Sequence, residues 1–217
     1  MRLYIIRHAD PDYANNTITE FGWEEANALA EWLKDVHIDK IYTSPLGRAI
    51  DTATPTLKAK GMESEILPWT AEHMDYMLSN QLKPDSDATY SFSIQRGVYD
   101  FKDFLDSDRM KTFYEMQKNS DEFLASFGYS REGYMYKITE PNELTIAVFC
   151  HGGFGGAWIA HLLGMAPGLT FPGISLGTSS VTAFHFHNHE SGYTRPSLYR
   201  LGEIKHIYDA GLRINNR

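Results

Sequence analysis

The residues of this chain best suited to chemistry are two histidines, two arginines and an acid: Arg7, His8, Arg48, Glu72 and His151. A neutral imidazole nitrogen can attack an electrophile at ordinary pH, provided an acceptor fixes the proton on the other ring nitrogen. The planar guanidinium fork matches the non-bridging oxygens of a phosphoryl group in a bidentate way that an ammonium does not. A carboxyl group whose pKa is raised by partial burial can protonate a leaving oxygen and later activate water. Singly, each of these side chains has a plain structural or solvent-facing reading. Together, two imidazoles and two guanidiniums at one place form a costly cluster of donors and positive charge unless an anion completes it. The set therefore predicts a phosphate pocket. His8 is its nucleophile, Arg7, Arg48 and His151 hold the phosphoryl oxygens, and Glu72 is the proton donor.

Such a pocket needs elements that bring these positions to one edge. Leu3 to Ile6 is a short apolar run that stops at Arg7-His8, as a buried parallel strand does where it meets its loop. From the N-cap Thr19, the apolar residues Ala26, Leu29, Ala30 and Leu33 recur at helical spacing up to about Asp35. Lys40 to Thr43 reads as a second strand, broken by Ser44-Pro45 before a helix carrying Ala49, Ile50, Ala53 and Leu57, with Pro55 as a candidate kink and Gly61 as the stop. Ser64 to Leu67 is a weaker third strand, and Leu144 to Phe149 a strong one followed by a helix from Gly152-Gly153 to Leu163. Val181 to Phe186 and Ser197 to Leu201 add two late strands.

Strands alternating with helices predict a three-layer α/β/α sandwich around a mostly parallel sheet. In such sheets ligands bind beyond the carboxyl ends of the strands. Arg7-His8, Arg48, Glu72 and His151 each follow a strand, so the topology predicts their convergence. Gly152 and Gly153 admit two readings: close backbone packing, or a helix start whose exposed N–H groups favour an anion.

Between residues 74 and 136 the β/α rhythm lapses into aromatic and polar sequence with a helix expected from about Arg109 to Phe127. This stretch reads as a helical cap inserted over the pocket in a single domain of residues 1–217. Its aromatic residues, with Trp69, Tyr76, Phe92, Tyr99, Phe101 and Phe104 among them, serve either core packing or a lid that selects the organic part of a substrate.

Hydrophobic residues make up 42% and charged residues 22% of 217 positions, ordinary globular usage that fits neither disorder nor a disulfide scaffold. The net charge of −8 disfavours a nucleic-acid footprint, although two arginines in a cleft still dominate the field felt by a small anion. The single cysteine, Cys150, cannot form an internal disulfide, and no apolar run reaches membrane-spanning length. The expectation is a cytoplasmic protein with no membrane partner and no nucleic-acid partner, acting on a small phosphorylated metabolite; a homodimer is compatible with this reading.

The chain resembles the histidine phosphatase superfamily, the phosphoglycerate-mutase-like fold. Its Arg-His-Gly hallmark appears as Ile5-Ile6-Arg7-His8-Ala9, its Leu-Thr-x-x-Gly as Ile18-Thr19-Glu20-Phe21-Gly22, and its Ser-Pro-x-x-Arg-Ala-x-x-Thr-Ala signature is complete from Ser44 to Ala53. The second histidine, in a strand-His-Gly-Gly setting, is His151, and the acid after the third strand is Glu72. The resemblance implies a phosphomonoester hydrolase with a phosphohistidine on His8, phosphate bound by Arg7, Arg48 and His151, Glu72 as the proton donor, and neither metal nor organic cofactor. Ala9 replaces the usual glycine, and the loop after it lacks the Glu-Ser-x-x-Asn pattern of glycolytic mutases, which weighs against a mutase. Asn15 and Asn16 offer a polar substrate contact in the loop after His8, but neither falls cleanly on the family position, and a plain turn is the favoured reading. A non-catalytic phospholigand-binding protein is the alternative from another class, disfavoured by the presence of His8. His185, His187 and His189 alternate on one strand face and raise a metal site as a rival, without the carboxylates or cysteines that would accompany one.

Overall fold

Alternate residues of the first strand face opposite cores, as a period of two requires: Leu3 and Ile5 join one buried cluster, Tyr4 and Ile6 the other. This strand, β1 (Arg2–Arg7), lies inside a six-stranded sheet. The computed structural model describes residues 1–76, 90–93, 98–101 and 108–215. β1 pairs in parallel with β10 (Thr145–Cys150), β10 with β4 (Lys40–Thr43), and β4 with β5 (Ser64–Ile66). On the other side β11 (Val181–His185) runs antiparallel to β1, and β13 (Ser197–Glu203) antiparallel to β11. Parallel central strands flanked by helices make this the expected α/β sandwich.

One helical layer contains α1 (Glu20–Leu33) and α2 (Gly47–Lys60), whose Leu29, Leu33 and Ala53 meet Ile6, Ala147 and Phe149 of the sheet. Thr19 caps α1 by accepting the Gly22 N–H at 3.0 Å. α2 continues through Pro55 and ends on Gly61, whose φ of 61° suits a residue without a Cβ.

The opposite layer contains α3 (Arg109–Ala125), α4 (Gly152–Leu163) and α5 (Pro167–Gly173). Phe113, Met116, Phe123 and Leu124 of α3 join the same core as Phe154 and Trp158 of α4. The helix expected within the inserted stretch therefore packs in the helical layer of the sandwich. Trp158 Nε1 fastens it by donating to Ser120 Oγ at 2.7 Å, and His161 Nε2 lies 2.8 Å from Asp121 Oδ1.

The insertion also holds strands that the sequence pattern did not reveal. β6 (Tyr90–Ser93) pairs with β7 (Val98–Phe101), and β8 (Tyr129–Glu132) pairs with β9 (Met135–Ile138), which is joined by β12 (Tyr193–Thr194). Trp69 and Tyr76 serve packing: the Trp69 ring lies 5.2 Å from Trp158, and Tyr76 lies 5.9 Å from Phe154. Phe92, Tyr99 and Phe101 fall on β6 and β7, and Phe104 lies outside the described residues. A short hairpin of β2 (Pro11–Asp12) and β3 (Thr17–Ile18) follows β1, and α6 (Lys205–Asp209) closes the chain beside α1. Among the described residues, no helix is long and apolar enough to cross a membrane.

Candidate active site

β1 and β10 end side by side in register, Arg7 opposite Cys150, which delivers His8 and His151 to the same edge of the sheet. Their rings lie 5.3 Å apart between centroids, tilted by 59°. His8 Nδ1 lies 2.7 Å from the Ala9 carbonyl oxygen, which can only accept, so Nδ1 carries the ring proton and Nε2 keeps its lone pair. That is the tautomer a nucleophile needs.

His151 Nε2 lies 2.7 Å from Ser44 Oγ, and the same hydroxyl accepts the Leu46 N–H at 3.3 Å. The Ser44 proton is then best placed to donate to His151, leaving Nδ1 as the ring's N–H; this buried nitrogen has no hydrogen-bond partner among the described residues. It suits donation to an anion's oxygen. Burial, with help from Arg7 and Arg48, lowers His8 to about 3. Burial, then His8 and the arginines, lowers His151 to about 2. Both rings are neutral near pH 7.

Arg7 Nη1 donates to the Leu176 carbonyl, and its guanidinium lies against the start of α4, where a Cβ on Gly152 would come within 3.1 Å of Nε. Arg48, on the first turn of α2, is 9% exposed and donates from Nη1 to Asn16 Oδ1 at 3.3 Å. Burial lowers the pKa of both guanidiniums, which remain the fixed positive charges of the site.

Glu72 follows a single 3-10 turn (Pro68–Thr70) after β5 and reaches the beginning of α4. It accepts the Phe154 N–H at 2.8 Å and the Gly153 N–H at 3.1 Å. A Cβ on Gly153 would lie 2.9 Å from Glu72 Oε1, so this glycine is needed for close approach. The Gly153 and Phe154 amides are therefore engaged by the acid, so both readings meet here: the glycines allow close approach of Arg7 and Glu72, and the anionic group at the helix start is the Glu72 side chain. Burial raises the Glu72 pKa, while the two amides and then Arg48 and Arg7 pull it down.

The geometry thus brings all five expected residues to one place. It also recruits residues that the sequence reading left out. Thr52 Oγ1 accepts the Ala9 N–H at 2.9 Å and donates to the Arg48 carbonyl at 2.7 Å, so the Ser44–Ala53 signature contributes its serine, arginine and threonine to one site. Asn16 does more than turn the chain. Its φ is 50°, its carboxamide meets Arg48, and its carbonyl sits where a Cβ on Gly47 would lie. Asn15, by contrast, bonds Asp12 within the turn, as read. Tyr13, on the same hairpin, places its ring 5.4 Å from the Arg48 guanidinium.

His185, His187 and His189 do come close, with successive ring centroids 3.8 and 5.9 Å apart. Among the described residues, however, no group of three or more His, Cys, Asp or Glu side chains is arranged to hold a metal ion.

The depressed histidines set a pH dependence of stability. Burial lowers His206 too, to about 4. Below the unfolded value of about 6.5, the unfolded chain binds protons that these three rings refuse in the fold, so ν in the unfolded state exceeds ν in the native state and stability rises with pH. It is fully present above pH ~6.5 and drains away as pH falls toward the folded values, by up to ~1.4 kcal/mol per pH unit for each ring. Denaturant unfolding at pH 7.5, 6 and 5 is expected to show a steadily falling midpoint. A midpoint flat across that range would contradict the buried neutral rings.

The sequence matches the family model of the histidine phosphatase superfamily (branch 1) over residues 3–196. No curated protein matches it in sequence. Its fold is similar to that of a phosphoserine phosphatase mutant from Entamoeba histolytica in complex with phosphoserine, with TM-score 0.63 at 20% identity over 95% of this chain and 98% of that one. A mycobacterial glucosyl-3-phosphoglycerate phosphatase complexed with VO3 gives TM-score 0.61 at 20% identity over 93% and 98% of the two chains. A putative α-ribazole-5′-phosphate phosphatase from Escherichia coli gives 0.58 at 19% identity over 94% and 98%.

Proposed function

The chain belongs to the histidine phosphatase superfamily, and from that premise we propose that it hydrolyses a small phosphomonoester through a phosphohistidine formed on His8. One observation carries the reading: the Nδ1–H of His8 is committed to the Ala9 carbonyl at 2.7 Å, which leaves Nε2 unprotonated on a buried ring whose pKa Arg7 and Arg48 lower further.

The phosphoryl group lies in the forks of Arg7 and Arg48, with His151 Nδ1–H on a third oxygen. His8 Nε2 attacks phosphorus as the ester P–O bond breaks, and Glu72 gives its proton to the departing alkoxide. Glu72, now a carboxylate, takes a proton from water as the water's oxygen attacks phosphorus. The P–N bond breaks, inorganic phosphate leaves, and Glu72 is protonated again. Preorganised positive donors stabilise the charge that spreads over the equatorial oxygens. The donor set performs this sequence with no metal ion.

Purified protein assayed in chelator against an aryl phosphate and a panel of phosphorylated metabolites tests the reading. Turnover that resists chelator is expected, and its complete loss would overturn the metal-free chemistry. Glu72→Gln is expected to slow alkyl esters far more than aryl esters, whose leaving oxygen hardly needs a proton. In the wild type, turnover of alkyl esters falls as pH climbs past the raised Glu72 pKa, and Gln removes that limb. Equal slowing of both ester classes would assign the proton to another acid. Isomerisation of a phosphorylated substrate with little release of inorganic phosphate would make the enzyme a mutase.

A further inference from the structure

The peptide joining His8 to Ala9 adjoins the acceptor that orients the His8 ring. That acceptor is the Ala9 carbonyl, which belongs to the following peptide, Ala9–Asp10, and the plane of the first peptide bears on both the His8 ring and this carbonyl through the Cα atoms at its two ends. Both poles of the first peptide are pinned. The Ala9 N–H donates to Thr52 Oγ1 at 2.9 Å, and the His8 carbonyl accepts the Ser179 N–H at 3.0 Å.

Thr52 sits on α2, a regular helix that fixes its direction. Ser179 has no such support, because it lies in the connection between α5 and β11. It is fully buried, and its φ is 53°, a left-handed conformation that a residue with a Cβ rarely adopts. Ser179 Oγ lies 2.8 Å from Nε2 of His206 on α6, a buried imidazole that stacks on Trp32 with 6.1 Å between centroids. The neighbouring residues grip the same segment: the Ser180 carbonyl accepts the Arg7 N–H at 3.0 Å, and Thr178 Oγ1 donates to Glu25 at 2.6 Å.

We infer that Ser179 and His206 are a positioning pair for the nucleophile. His206 holds the Ser179 side chain, the side chain holds the left-handed backbone, and that backbone aims an N–H at the His8 carbonyl so that Nε2 stays in line for attack. The inference rests on His8 being the nucleophile. Strain of this kind persists only where the surroundings enforce it, and here the enforcing side chain belongs to the last helix of the fold, outside the phosphate pocket. A pair that merely filled a buried turn would affect stability and leave the chemical step alone.

Two substitutions at one position separate these roles. Ser179→Gly loses the side chain but adopts the left-handed backbone freely, so the N–H keeps its aim. Ser179→Ala keeps the cost of a Cβ and loses the bond to His206. With an aryl phosphate in rapid-quench experiments, Ser179→Ala is expected to form phosphoenzyme about tenfold more slowly, given the sensitivity of attack to small misplacements. Its KM and its inhibition by inorganic phosphate stay within about twofold of wild type, because the arginines are untouched. Ser179→Gly keeps the rate within about threefold. His206→Asn repeats the tenfold loss in the wild-type background and adds little to Ser179→Gly, since the two residues act through one contact.

A Ser179→Ala variant as fast as wild type, whatever its melting temperature, overturns the positioning role, as does equal slowing by Gly and Ala. Wild-type protein that turns over without any phosphoenzyme overturns the nucleophile assignment itself and this inference with it. The two failures are distinguishable, because only the second appears in the wild type.

Discussion

His8→Ala is expected to remove turnover altogether, lowering kcat by at least about 10⁴-fold, on the scale seen when a covalent nucleophile is lost. The loss is chemical and leaves the anion site standing. Arg7, Arg48 and His151 are placed by Leu176, Asn16 and Ser44, none of which depends on the His8 ring. The alanine variant should therefore still bind inorganic phosphate, measured by calorimetry or by thermal shift, with an affinity near that of the wild type. Residual turnover within a hundredfold of wild type would mean that water attacks the ester directly.

Arg48→Ala has the second largest expected effect. Removing one preorganised charge donor costs ~2–4 kcal/mol of transition-state stabilisation, or roughly 30- to 1,000-fold in kcat/KM. Arg48→Lys should recover little of it, because an ammonium cannot present two parallel N–H groups to a phosphoryl face. Arg48 also anchors Asn16, so the measurement needs a melting temperature beside it. Wild-type-like kcat/KM in a folded Arg48→Ala variant would remove this residue from the pocket.

The parts of the fold and site that were legible in the sequence are those dictated by local pattern. Runs such as Leu3 to Ile6 and Leu144 to Phe149 are buried on both faces and end abruptly in Arg7-His8 and Cys150-His151, so their strand ends announce the pocket edge. Arg48 was legible because Ser44 to Ala53 combines a strand stop, a helix start and a helical repeat in ten positions. What sequence pattern leaves out depends on tertiary partners. Nothing local says that Asn16 will sit at positive φ with its carboxamide on Arg48, or that the Ser179 N–H will reach the His8 carbonyl, since both contacts cross from one loop to a distant element. The helix over α3 was expected in a cap above the pocket, because sequence pattern shows a helix without showing which core buries its apolar side. Phe113, Met116 and Phe123 chose the main core. The two-residue strands β2, β3 and β12 are too short for a period of two to register.

Phosphoenzyme mapping locates the covalent intermediate itself. Wild-type protein quenched during turnover of an aryl phosphate, digested at alkaline pH and examined by mass spectrometry should carry one acid-labile, base-stable phosphoryl group on the peptide containing His8. The same label on another residue, or full turnover with no label at any quench time, would contradict a phosphohistidine on His8.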